Sequence, residues 1–222
     1  MKEWYLRDDW DPDVEKEFEE KLKRSRGNYN KAQYLRIKGS RLIKSNDLNI
    51  QIVGCELLKR VAKDYPNEYS NVMFAFEQLG DYYFGNKDYT NAEEYYRKSI
   101  TFYKDHGRSG SSGFGDIKLV ETLVEGKKVE SFQEGYTLLT KEFKETDGSL
   151  ILNDEIFRYY TVLAKICKFL NKYEEAKSYA ELALQKTIIG TPQLDKYPNL
   201  GLVKASEADL DILKEIAGIG YS

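Results

Sequence analysis

From Phe76 to Ile100 apolar and polar positions alternate with a helical rather than a strand period, and the run is cut once, at Gly85-Asn86-Lys87-Asp88-Tyr89. Before the cut, Phe76, Leu79 and Tyr83 fall at i, i+3 and i+7, and after it Ala92, Tyr96 and Ser99 fall at i, i+4 and i+7. Each set lies along one side of a helix, so the segment predicts a helical hairpin. Gly80 and Ala92 are the small residues where its two helices must touch, and Tyr89 closes the turn. A single hairpin leaves its apolar side uncovered, so the pattern should repeat. It recurs in register at Tyr160, Leu163, Ala164 and Cys167, then Tyr173, Ala176, Ala180 and Ala183. Two poorer copies complete the series. In one, Gly135 takes the small position and Leu139 the aromatic one; in the other, Gly39 and Gly54 are the small residues, the turn is longer and Pro66 ends the pattern.

The spacing Leu79-Gly80, Tyr83, Tyr89, Ala92, Tyr96 is that of a tetratricopeptide repeat. The expected fold is therefore all-α: a right-handed, tetratricopeptide-like solenoid forming a single helical-repeat domain over 1–222. Its hairpins are expected at 31–66, 72–105, 116–146 and 154–188, behind an acidic N-terminal helix and ahead of a capping helix over 206–217. Ser206 and Asp209 open that last helix, and Leu210, Leu213 and Ala217 stripe it. The segment 106–116 holds four glycines and three serines and is expected to be flexible. Asp147-Gly148 is a turn signal, and Pro192 and Pro198 keep the chain extended after Ile189.

The ends carry a narrower likeness. The motif W-x2-R-x2-W at Trp4, Arg7 and Trp10, LKRSR from Leu22, KAQYLRIKG from Lys31, FRYYTVLAKI from Phe157 and YPNLGLV from Tyr197 together resemble a bacterial family of uncharacterised tetratricopeptide-like proteins. The resemblance is weakest between Gly107 and Thr146, where the family has a better-formed helical pair. It implies the helical-repeat fold and a bacterial cytoplasmic setting, and it implies no activity.

Composition narrows the function classes. With 222 residues, 41% of them apolar, the chain can bury a continuous core, and no apolar run approaches the roughly 18 residues of a membrane span. The acidic start lacks the positive flank of a signal peptide, so a cytoplasmic location is expected. Two cysteines, Cys55 and Cys167, make no disulfide framework and read as small buried hydrophobes. The single histidine, His106, reads as a helix C-terminal residue, so histidine-based metal sites and Ser-His or Cys-His pairs find no support. GRSGSSGFG lacks the preceding strand and following Gly-Lys-Ser/Thr of a phosphate loop. No catalytic residue, metal site or cofactor is expected.

Two features point toward binding. Eighteen tyrosines include the pairs Tyr82-Tyr83, Tyr95-Tyr96 and Tyr159-Tyr160; Tyr82 and Tyr159 either line a concave face that receives a peptide or cover repeat junctions. Charge is also unevenly spread, with a net of −6 over residues 1–20 and of +9 over residues 21–44, which hold no acid. Arg24, Arg26, Lys31 and Arg36 in that stretch pair with the acidic block, across the hairpin of residues 13–24 and 31–45, or receive an acidic partner. The expected role is a non-catalytic protein-protein interaction or scaffold module binding a peptide or protein on its concave face. The alternative is a regulatory binder of nucleic acid or of a phosphorylated ligand through residues 21–44. Tyr29 and Tyr34 are the stretch's only aromatics, too few for a base-stacking platform, which favours a protein partner.

Overall fold

The computed structural model describes residues 3–108, 112–146, 148–193 and 196–219, which form helices joined by short connections, with no strand among them. The chain divides into two compact units, Met1–Gly115 and Asp116–Ser222. In the first, a 3-10 turn over Trp4–Leu6 precedes α1 (Pro12–Arg24), α2 (Asn28–Leu42), α3 (Leu48–Asp64), α4 (Tyr69–Gly85) and α5 (Tyr89–His106). The second holds α6 (Gly115–Glu125), a 3-10 turn over Val129–Ser131, α7 (Phe132–Thr137), a π-helical turn over Leu138–Glu142 and α8 (Phe143–Glu145). It continues with α9 (Asn153–Phe169), α10 (Tyr173–Thr187) and α11 (Glu207–Ala217). α2 packs on α3, α4 on α5 and α9 on α10.

Local chemistry accounts for where these helices start and stop. The Asp11 carboxylate accepts hydrogen bonds from the N–H groups of Asp13 (2.9 Å) and Val14 (2.8 Å), with Pro12 following, which satisfies donors that a helix start leaves unpaired. Asp47 does the same for α3 and Ser206 for α11. α9 has no polar residue at its N-cap, and one side chain of its own first turn and one distant side chain serve instead. Glu155 accepts from the N–H of Leu152, and Gln193 accepts from the N–H of Asn153 at 2.6 Å while donating to the carbonyl of Ile151. At the other ends, Lys87, Lys127 and Asn171 adopt positive φ, and the residue after each donates back across the last turn: Asp88 to Tyr83, Lys128 to Leu123 and Lys172 to Cys167, each at 2.9 Å. One helix-stop geometry thus serves three hairpins, including the most divergent.

Where paired helices touch, the small residues are needed. A Cβ on Gly80 would lie 2.5 Å from the ring of Tyr96, and one on Gly54 would lie 2.7 Å from the backbone of Ile43 and 2.9 Å from the Gly39 carbonyl. In α7 the small residue is Gly135, against Val120 of α6. The helix containing Gly135 and Leu139 is interrupted by the π turn. There the hydroxyls of Thr137 and Thr140 donate to the carbonyls of Gln133 and Tyr136, competing with the α-helical ladder.

The first core gathers Phe18, Leu22, Leu35, Leu42, Leu58, Val61, Val72 and Leu79; the second gathers Phe157, Ala164, Ala180, Ala183, Leu213 and Ala217. Of the segment expected to be flexible, 106–116, residues 109–111 lie outside the described residues, as does Asp147 of the expected turn; Ser112 donates its N–H to the nearly buried carboxylate of Glu77 at 3.2 Å.

Candidate protein-binding surfaces

α2 sends side chains in two directions. On the side toward α4, Arg36 donates from Nε to the Oδ1 of Asn71 at 3.0 Å, and its guanidinium carbon lies 5.0 Å from the centre of the Phe74 ring. Burial lowers its pKa, and these two contacts hold the guanidinium in one orientation. On the opposite side, Lys38 and Arg41 reach residues ahead of α1. Lys38, at 0% exposure, donates to the carbonyls of Arg7 (2.9 Å) and Asp9 (3.0 Å), and Arg41 pairs with Asp8 at 2.6 Å.

The basic stretch is therefore divided. Its far end pairs with residues 7–9, whereas the pairing expected across residues 13–24 and 31–45 is replaced by pairs within α1: Lys21 with Glu17 at 2.7 Å and Arg24 with Glu20 at 3.4 Å. The Arg24 side chain is 78% exposed, so its pair contributes little. Arg26 is exposed and Lys31 half-buried, and among the described residues neither side chain has a hydrogen-bond or ion-pair partner.

The two candidate tyrosines are turned inward. Tyr82 is half-buried, with its hydroxyl donating to Gln51 of α3 at 3.1 Å. Tyr159, expected either to line a concave face or to cover a repeat junction, is 8% exposed; its hydroxyl donates to the carbonyl of Leu139 in the π turn at 3.0 Å, and burial pushes its pKa up to about 12. The Tyr159 hydroxyl thus reaches the irregular helix that precedes α9.

In the second unit α9 is laced by ion pairs. Arg158 makes a two-point contact with Glu121 at 2.9 and 2.5 Å, Lys165 bridges Asp209 at 2.8 Å and Glu125 at 3.6 Å, and Lys168 pairs with Glu215 at 2.6 Å. Burial alone would push the Asp209 carboxyl up, but hydrogen bonds from Lys165 and Ser206 outweigh it and hold the group below its ordinary range.

The two cysteines and the histidine are held by packing. Burial pushes both cysteine thiols up to about 11, away from the thiolate, and His106 ends α5 stacked on Tyr69 with ring centres 3.6 Å apart. Among the described residues no group of three or more His, Cys, Asp or Glu side chains could hold a metal ion, and no helix is long and apolar enough to cross a membrane.

The hairpins α4–α5 and α9–α10 have a short turn closed by a left-handed residue and a small residue at the helix contact, and both are found by comparison with known families. Residues 75–106 and 157–185 match the tetratricopeptide repeat. One repeat falls in each unit, and such repeats generally mediate protein-protein interaction or scaffolding. Neither the curated proteins nor the solved structures yield a match to the chain.

What sequence reasoning missed is Lys38. The signal was present, since Leu35, Lys38 and Leu42 fall at i, i+3 and i+7, and a lysine inside an apolar stripe needs buried acceptors.

Proposed function

We propose that this chain is a non-catalytic protein-binding scaffold that receives a peptide or protein on the α2–α4 face of its first unit. The observation that carries this reading is Arg36, fixed by Asn71 and Phe74 beside a tetratricopeptide repeat. Its terminal guanidinium nitrogens have no partner among the described residues, which suits a two-point contact with a carboxylate. Arg24, Arg26 and Lys31 add steering for an acidic partner. Tyr82 and Tyr159 support the helices they pack in rather than touching the ligand.

A second reading, nucleic acid or a phosphorylated ligand at residues 21–44, draws on the unpartnered Arg26 and Lys31. Lys38 and Arg41 are occupied, and Tyr34 packs on Trp4 and Tyr5, which takes away one of the two aromatics of the stretch. Affinity capture from native cells with the wild-type chain and with Arg36→Gln tests both. Proteins retained after nuclease treatment and lost with Arg36→Gln support the scaffold. Captured nucleic acid, with affinity falling by several powers of ten in salt, overturns it in favour of the second reading.

A further inference from the structure

Ahead of α1 the chain runs extended past the 3-10 turn, with Arg7 at φ −70° and ψ 144°, and lies along α1 and α2. Its contacts are of three kinds. Aromatic rings interlock: Trp4 lies 5.1 Å from Phe18 and 5.0 Å from Tyr34, Tyr5 lies 4.6 Å from Tyr34, and Trp10 lies 5.6 Å from Phe18, measured between ring centres. The ammonium of Lys38 bonds the main-chain carbonyls of Arg7 and Asp9 and stands 5.3 Å from the centre of the Trp10 ring. Ion pairs complete the set, Arg41 to Asp8 at 2.6 Å and Arg7 to Glu17 of α1 at 3.1 Å.

Tyr34, Lys38 and Arg41 fall at i, i+4 and i+7, on one side of α2, and Arg36 falls on the other. For sealing the end of a helical unit, Lys38 is a poor choice. Burial lowers its pKa to about 8, so dehydrating the ammonium opposes closure, and the bonds to the carbonyls of Arg7 and Asp9 offset that penalty only where an extended main chain lies against it. As equipment for holding a peptide, the set is coherent: an ammonium for the carbonyls of any extended main chain, a guanidinium for an acidic side chain, and ring-lined pockets for aromatics. The dehydration penalty also narrows the gap between a closed and an open segment, which makes the segment displaceable.

We propose that the α1–α2 groove formed by Phe18, Tyr34, Lys38 and Arg41 is a docking site for an extended segment of a partner protein in which two aromatic residues flank an acidic one, and that residues 4–10 fill it in cis until such a segment displaces them. This site does not rest on the α2–α4 reading. Tethering places residues 4–10 at an effective concentration of the order of millimolar, so the resting chain should take an added segment only weakly.

The test uses the full chain and a labelled synthetic peptide of residues 3–11. Trp4→Ala with Trp10→Ala weakens the cis segment, and fluorescence anisotropy should then show saturable peptide binding at least tenfold tighter than to wild type. Adding Lys38→Met to that variant should weaken binding at least tenfold, whereas adding Arg36→Gln should leave it unchanged. Should the double tryptophan variant lose its helical circular dichroism, Asp8→Lys serves instead, because it sets like charges against each other at Arg41 on the surface. The chain's only two tryptophans both lie in the segment, so displacement by a peptide carrying phenylalanine in their place should then red-shift the emission. A folded, segment-weakened variant that binds the peptide no tighter than wild type, or equally well after Lys38→Met, overturns the proposal.

Discussion

Where α4 meets α5, a glycine faces a tyrosine ring; in α9 and α10 the matching positions are alanines, Ala164 and Ala180. The two repeats reach the same close approach by dividing the available volume differently. In the first unit the division is extreme, since Tyr96 fills the space that Gly80 leaves and donates its hydroxyl to Asp81 at 2.7 Å. In the second it is even, and the ends of the helices are held by α11 and the ion pairs of Lys165 and Lys168. The remaining hairpins divide it in other ways, with Gly39 against Gly54 and Val120 against Gly135. Those are the hairpins that the repeat comparison does not match, although α2 and α3 pack as a pair like the matched ones. A repeat pattern reads how volume is divided between partners, and helical pairs persist where the division changes.

Charge at the small positions should perturb both units most. Ala92→Arg in the first unit and Ala176→Arg in the second, both buried, should each destabilise by about 4 kcal/mol or more in urea titration, because each forces a charge into a close helix contact. Smaller changes should separate the units. Gly80→Ala drives a Cβ into the Tyr96 ring and should destabilise by about 2–3 kcal/mol, whereas Ala164→Gly removes one methyl from the even contact and should cost about 1 kcal/mol. Equal effects at the two sites would show that the two units do not divide their volume differently.

Electrostatics sharpens it further. Lys165 is 15% exposed and holds two carboxylates, so Lys165→Gln should lose about 1–2 kcal/mol in the same titration. Lys38 gives the first unit a pH signature. Folded, it holds its proton only to about pH 8, against 10.5 for the free side chain, so between these values the unfolded chain binds more protons and stability rises with pH. Between pH 8 and 9 Lys38 should contribute a rise of about 1 kcal/mol, which the raised thiols of Cys55 and Cys167 partly offset because their unfolded value lies at 9.0, and Lys38→Met should remove that contribution. Arg24→Gln, which loses only an exposed pair, should stay within about 0.5 kcal/mol of wild type.

Helices, their pairing and one of their caps were legible from order alone. Periodic apolar residues, Ser206 with Asp209, and the glycines at helix contacts act on neighbours a few positions away, so their meaning is written locally. Polar groups at the candidate sites answer to partners far along the chain. Lys38 finds carbonyls 31 and 29 residues before it, Tyr159 finds one 20 residues before it, and Gln193 caps a helix that starts 40 residues earlier. A side chain's pattern position says that it is buried or exposed; which acceptor it meets there depends on how distant backbone is laid against it. The acidic and basic blocks show the same limit. Charge counting marked them as complementary, but only the packing of residues 4–10 against α1 and α2 decided that Lys38 and Arg41 are engaged while Arg26 and Lys31 have no side-chain partner among the described residues.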